Sequence, residues 1–266
     1  MNIARQNYKM MQPLLASLRD FEEFEVRSAL KSLMSRDAII HMCHPFGDLS
    51  PETFYDKCFA LLIVAMPDVE RRDTIFISGQ TPEGDYWVGC CGSYIGTFVV
   101  PFLDIPPTGH LAHMRFHEFY RFSGSKVVEV QAIWDIPELM MQANAWPMAP
   151  SLGREWHIPG PITQDGMSDC TDQVERSLQS QTHVLDMLTA LSRHPVEPVE
   201  AMELEHFWHP KMTWYGPSGI GTARGISGFR HWHQIPFLNA MPDRGQFPDE
   251  ITPHFFAEGD YIAVTG

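Results

Sequence analysis

Apolar residues recur at helical spacing between residues 11 and 36: Leu14, Leu18 and Phe21, then Val26, Leu30, Leu33 and Met34. That period predicts a helical stretch. Residues 37–42 read as a short strand and 44–48 as a loop. Ser50-Pro51-Glu52 opens a second helix, with serine as cap and proline in the first turn. Phe54, Leu61 and Leu62 carry it as far as Pro67. From Asp73 the pattern turns to strands, at 75–78 and 86–100, followed by an aromatic-rich run to Phe122, a Ser-Gly-Ser turn and a β-branched run from Lys126 to Asp135. This last unit is a hairpin signal. Pro137 then suits the first turn of a short helix. Residues 143–168 carry Pro147, Pro150, Pro159 and Pro161 and read as a linker. A helical pattern resumes near Gln173 with Leu178, Leu185, Leu188 and Leu191, and another covers 198–208 behind Pro198.

The second half repeats the first. Ala65-Met66-Pro67-Asp68 returns as Ala240-Met241-Pro242-Asp243, and Glu83-Gly84-Asp85-Tyr86 as Glu258-Gly259-Asp260-Tyr261. Both pairs are 175 residues apart (240 − 65 and 258 − 83), as are Phe54 and Phe229. Two four-residue matches at one offset predict a tandem duplication. Its units are residues 1–143, a linker at 144–171, and residues 172–266. The counterpart of Asp135 would be residue 310, so the second copy lacks its C-terminal strands and its own version of the hairpin. The expectation is a fragment of a longer protein rather than strands supplied by another chain, because a half-sheet exposes an unpaired edge.

Composition narrows the partners. A length of 266 residues suits two domains, and 44% hydrophobic content argues for packed cores. The formal charge of −14 disfavours nucleic acid and anionic membranes. A neutral small molecule is indifferent to it. Cys43, Cys58, Cys90, Cys91 and Cys170 form no CxxC pair, and neighbours Cys90 and Cys91 would face opposite sides of a strand. The longest apolar run, 60–66, is far short of the ~20 residues a membrane helix needs, and the opening residues lack a signal-peptide core. A cytoplasmic protein with reduced thiols is expected.

With a turn centred on Gly124 and Ser125, Phe122 pairs with Val127, Tyr120 with Glu129, Glu118 with Gln131 and Met114 with Asp135. That register puts Met114, Phe116, Glu118, Tyr120, Glu129, Gln131, Ile133 and Asp135 on one face. His113, Arg115, His117, Phe119, Arg121, Val128, Val130, Ala132 and Trp134 take the other. One face would line a pocket under the helices, and the other would pack on a partner sheet, the second copy being the candidate.

The order helix, helix, strand, helix, then a long meander ending in a carboxylate resembles the SnoaL-like polyketide cyclases of the NTF2-like superfamily. The residues carrying the resemblance are Asp104-Ile-Pro-Pro-Thr-Gly109, His117-Glu-Phe-Tyr-Arg-Phe122, Lys126-Val-Val-Glu129 and Asp135. In the second copy they are Trp214-Tyr-Gly-Pro217 and Gly225-Ile-Ser-Gly-Phe229. The resemblance implies an α+β, cone-shaped fold in which helices pack on a strongly curved, mostly antiparallel sheet. It is specific for fold and weak for substrate. Where family members carry His or Glu followed by Trp on the last strand, this chain has Val130 and Gln131.

In the resembled cyclases an aspartate at the place of Asp135 removes an acidic proton from a carbon flanked by carbonyls, and the enolate closes an aldol ring. Asp135 is therefore the expected acid/base, its pKa raised by burial; the alternative is a strand-end cap. His117 is a proton shuttle by residue type but sits on the opposite face in this register, so cooperation needs a β-bulge. Glu118, Gln131 and Tyr120 are the expected ligand-binding groups, and His41 is a candidate from its short strand. No metal or organic cofactor is implied. His41-x-Cys43-His44, His206-x-x-His209 and His231-x-His233 lack partners at a recognised ligand spacing. The run from Gly216 to Gly225 lacks the Lys-Ser/Thr of a phosphate loop and reads as a flexible loop. The expected function is cofactor-free cyclase or isomerase chemistry on a hydrophobic, carbonyl-bearing small molecule. A dehydratase or epoxide hydrolase on the same fold is one alternative, and a non-catalytic ligand-binding protein is another. The two copies would form an intramolecular pseudo-dimer, with a homodimer as a further option.

Overall fold

The computed structural model describes residues 3–167, 173–242 and 253–266. Cys170 and Asp243 lie outside the described residues. The helical pattern at the N-terminus resolves into two helices, α1 (Ile3–Arg19) and α2 (Glu23–Leu33). They part where the Glu22 carboxylate accepts from the Glu25 amide at 3.0 Å and caps α2. Strand β1 (Met34–Met42) follows directly and starts three residues earlier than the sequence suggests. After β2 (Asp48–Leu49), α3 (Pro51–Phe54), a π-helical turn (Tyr55–Phe59) and α4 (Ala60–Ala65) form one interrupted helix. Then come β3 (Glu70–Gln80), β4 (Tyr86–Thr97), β5 (Leu111–Ser123), β6 (Lys126–Trp134) and α5 (Ile136–Gln142).

These strands make one six-stranded sheet in the order β2-β1-β6-β5-β4-β3. The β1–β6 pair is parallel and the others antiparallel. Strand alternation sends Phe76, Val88, Met114, Phe116, Tyr120 and Trp134 toward the helices, where they meet Leu14, Leu18, Leu30, Phe54, Phe59 and Leu62 in a single core. Each large side chain fully withdrawn from water contributes roughly 1.5 to 3 kcal/mol. The architecture is α+β with a mixed sheet, consistent with an NTF2-like fold.

One residue reverses the expected hairpin faces. Phe122 pairs with Val127 as expected, but the next pair is Arg121 with Glu129, leaving Val128 without a partner. This β-bulge moves every later β6 residue by one, and a one-residue slip exchanges the faces. Glu118 and Tyr120 therefore stand opposite Ala132 and Val130, while Phe119 stands opposite Gln131 and His117 opposite Ile133. The expected grouping of Glu118 and Tyr120 with Gln131 and Asp135 is corrected accordingly. Asp135, one residue past the strand, is tied to β5 by its amide, which donates to the Arg115 carbonyl at 2.8 Å.

The described part of the Pro-rich segment, up to residue 167, forms a strap. Phe76 donates its amide to Gly166, and Gly153 and Arg154 exchange backbone hydrogen bonds with Ile220 and Thr222. Beyond it lie α6 (Val174–Leu191), a 3-10 turn (Val199–Met202), α7 (Leu204–Phe207), β7 (Thr213–Tyr215) and β8 (Thr222–Arg224). They are followed by α8 (Gly225–Phe229), a second π-helical turn (Arg230–Gln234), α9 (Ile235–Ala240), and the hairpin β9 (His254–Glu258) and β10 (Tyr261–Thr265). This hairpin covers the outer face of the six-stranded sheet: Phe256, Tyr261 and Ala263 pack with Ile77, Trp87 and Phe119. Gly79 permits the approach, since a Cβ there would meet the Ala257 carbonyl oxygen at 2.7 Å.

Candidate functional site

The polar residues of the six-stranded sheet fall into two groups, one on each face. On the helix side, the positions of β5 and β6 that face inward are Ala112, Met114, Phe116, Glu118, Tyr120, Phe122, Val127, Val130, Ala132 and Trp134. Glu118 is their one carboxylate. It is 1% exposed and receives four donors. Arg71 Nη1 reaches Oε2 at 2.5 Å and Tyr120 Oη at 2.6 Å, while Tyr94 Oη reaches Oε1 at 2.8 Å and Trp134 Nε1 at 2.9 Å. Arg71 also binds both Asp73 oxygens, with Nε at 3.0 and 3.1 Å, and lies over the Phe116 ring at 4.0 Å. Burial pushes the Glu118 pKa upward, but the Arg71 charge and the converging donors outweigh it and hold the carboxyl below its ordinary value. Burial raises both tyrosine hydroxyls well above theirs, with the Glu118 charge adding to it. The space around the cluster is filled by rings: Trp134 lies 5.1 Å from Tyr94 and 5.7 Å from Phe59, centroid to centroid. Tyr120 and Glu118 are thus brought together as read from the sequence. Arg71, Tyr94 and Trp134 were missed. Arg71 precedes the strand as read from residue 73, and nothing local links it to a glutamate 47 positions away.

The outer face carries the remaining candidates. The Asp135 carboxylate accepts from Arg115 Nη2 at 3.0 Å and from the Ser218 amide at 2.9 Å. The same Arg115 nitrogen donates to the Gly216 carbonyl at 2.9 Å. Asp135 and the Gly-rich loop therefore hold each other, and the loop is further anchored by the Gly219 amide on Glu155. Burial raises the Asp135 pKa, while Ser218 and Arg115 pull against it. Its side chain makes no cap to α5. The bulge puts His117 on the same side of the sheet as Asp135, contrary to the expected register. Its Nε2 lies 3.7 Å from Cys91 Sγ. Burial, then the Arg115 charge, lowers the His117 pKa to about 4, so the ring is neutral near pH 7. Burial likewise pushes Cys91 up to about 11, a thiol rather than a thiolate.

Two ligand-binding candidates lie outside the core under the helices. Gln131 accepts from Thr265 Oγ1 at 2.6 Å and donates to Glu129, joining β6 to the end of β10. His41 sits on the exposed side of β1 and pairs with Asp48 at 2.8 Å. Strand alternation keeps it out of the core, which takes Ile40 and Met42 instead.

Two of the cavities bear on these candidates. One of about 300 Å³ is lined by Trp146, Met148, Leu152, Trp232, His233 and Phe237, between the strap and the second π-helical turn with α9. The other, about 220 Å³, lies on the outer sheet face with Cys91, Ser93, Arg115 and His157 among its walls. Among the described residues no three His, Cys, Asp or Glu side chains converge on a metal-sized space, and no helix is long and apolar enough to cross a membrane.

A family model described as SnoaL-like polyketide cyclase matches residues 16–143. No curated protein matches the chain. Solved structures similar to it include AclR from Streptomyces galilaeus, provisionally assigned as a hydroxylase, at 17% identity and a TM-score of 0.45, covering 55% of this chain and 89% of that one. IdmH from Streptomyces antibioticus, provisionally assigned as a polyketide cyclase, is 18% identical with a TM-score of 0.44, over 52% and 99%. A protein from Jannaschia sp. CCS1 described as SnoaL-like is 20% identical with a TM-score of 0.45, over 56% and 97%. Similarity of this order does not bear on activity or substrate.

Proposed function

We propose that this chain is a non-catalytic, small-molecule-binding protein whose SnoaL-like first unit is a filled scaffold. The observation that carries this reading is the saturation of Glu118. A general base needs a free lone pair within reach of the substrate proton, whereas all four donors around Glu118 point at it and aromatic rings occupy the space a substrate would need. The ligand space is then the aromatic cavity beside the strap, suited to a neutral hydrophobic molecule. Titration with N-phenyl-1-naphthylamine, a neutral fluorophore, should give saturable binding that Trp232→Ala weakens, and mass spectrometry should recover the probe unchanged. Catalytic conversion of any carbonyl-bearing ligand that Asp135→Asn abolishes would overturn the proposal.

A second reading, cofactor-free acid–base catalysis, is favoured by one observation. Asp135 has a raised pKa and shares Arg115 with the 220 Å³ outer cavity. It requires Asp135 to exchange the Ser218 amide for a substrate. The same Asp135→Asn measurement decides between the two.

We also infer a tandem duplication, with units at 1–143 and 172–266 and the strap between. The π-helical turns, Tyr55–Phe59 and Arg230–Gln234, are 175 residues apart at both ends, as are α4 and α9. After each, the closing amide repeats the offset: Met66 donates to Leu62 and Met241 to Phe237. π-helical turns are rare and short, so agreement in their placement supports common descent of the two segments. An experimental structure with either turn absent or shifted by one residue would break the correspondence.

A further inference from the structure

We infer that the cavity between α2, β1 and α3 is a binding site for an amphipathic carboxylate, an anionic head on an apolar body. It is separate from the aromatic cavity and from the Glu118 and Asp135 clusters. The cavity measures about 780 Å³, and its walls are Arg27, Leu30, Lys31, Met34, Ser35, Arg36, Pro51, Glu52, Tyr55 and Lys126. Four cations face one carboxylate there, in a chain whose formal charge is −14. The floor is apolar: Leu30, Met34 and Tyr55 are each below 5% exposed.

The local fold explains why the space exists. Met34 pairs with Val127 and the next β1 pair is Ile39 with Glu129, so four β1 residues stand opposite one residue of β6. Ser35 and Arg36 belong to this excess and line the cavity. Lys126, at the start of β6, donates to the Ser32 carbonyl at the end of α2 and keeps further N–H groups for a ligand. Arg27 is occupied, pairing with Glu23 and Asp56 while it stacks over Tyr55 at 3.8 Å. Lys31 and Arg36 have no ion pair among the described residues. The Tyr55 hydroxyl is shielded from solvent and also lacks a partner. Unpaired cations above an apolar floor select a ligand with both features: a carboxylate alone would forgo the floor, and an alcohol the charge.

The test uses the whole protein, with octanoate as the probe and octanamide as its neutral counterpart. Isothermal titration calorimetry should show octanoate binding at least about 10-fold tighter than octanamide, a difference equal to one decade of affinity. Lys31→Glu/Arg36→Glu, on exposed side chains, should remove that preference. A second measurement needs no variant. Acetylation of wild-type protein, read by mass spectrometry, should be slowed by octanoate at Lys31 and Lys126 but not at Lys9, Lys57 or Lys211. Equal binding of octanoate and octanamide, no binding at millimolar octanoate, an unchanged preference in the double variant, or unprotected Lys31 and Lys126 would each overturn the inference.

Discussion

Replacing Glu118 by alanine removes the acceptor on which Arg71, Tyr94, Tyr120 and Trp134 converge. Arg71 would keep Asp73, at 2.9 Å from Nη2, so it would not be left as an isolated charge. The other donors would be stranded in a core with no route to water. Breaking a buried ion pair by deleting one partner costs roughly 3 to 5 kcal/mol, and each stranded donor about 1 to 3 kcal/mol, in terms that overlap and do not add. The expected loss is about 4 kcal/mol, which for a chain of this size lowers Tm by roughly 8 to 16 °C. Urea unfolding followed by tryptophan fluorescence measures it directly, because Trp134 is part of the cluster. The sign of the pH dependence follows from the lowered Glu118 pKa. The carboxylate's contribution is present above its unfolded pKa and fades as pH falls through its folded value. The gap between wild type and Glu118→Gln should therefore narrow in acid. A loss below about 1 kcal/mol for Glu118→Ala, within the range of an exposed ion pair, would mean that the carboxylate is not locked, and the filled-scaffold reading would fall with it.

Two further outcomes follow. A histidine whose pKa is brought from 6.5 to about 4 stabilises the fold above 6.5, and its contribution is lost as pH falls from there through 4, on the order of 3 kcal/mol in all. His117→Leu should accordingly flatten the stability profile between those values, measured as urea midpoints against pH; an unchanged slope would refute it. Arg115→Met leaves the Asp135 carboxylate and the Gly216 carbonyl without their shared donor. Amide exchange at Ser218 should then accelerate while the amides of β4 keep their protection, and equal exchange in wild type and variant would show that the contact does not hold the loop.

Much of the fold was written in local patterns. Alternation along β5 placed Glu118 and Tyr120 on one face and Arg115 and His117 on the other, and the structure keeps both assignments. The Ser-Pro start of α3 and the turn before Lys126 were equally legible. Such features depend on side-chain period and turn chemistry within a few residues, so neighbours in sequence suffice to determine them. Three decisions needed the tertiary structure. Val128 is unpaired in the ladders to both β1 and β5, and that single residue moved Gln131 and Asp135 to the outer face. Arg71 meets Glu118 across two intervening ladders, and Ser218 meets Asp135 across 83 residues of chain. A carboxylate's role is set by what surrounds it. The acids are visible in the sequence; only the packing of strands distant along the chain decided that one would be saturated under the helices and another clamped on the outer face.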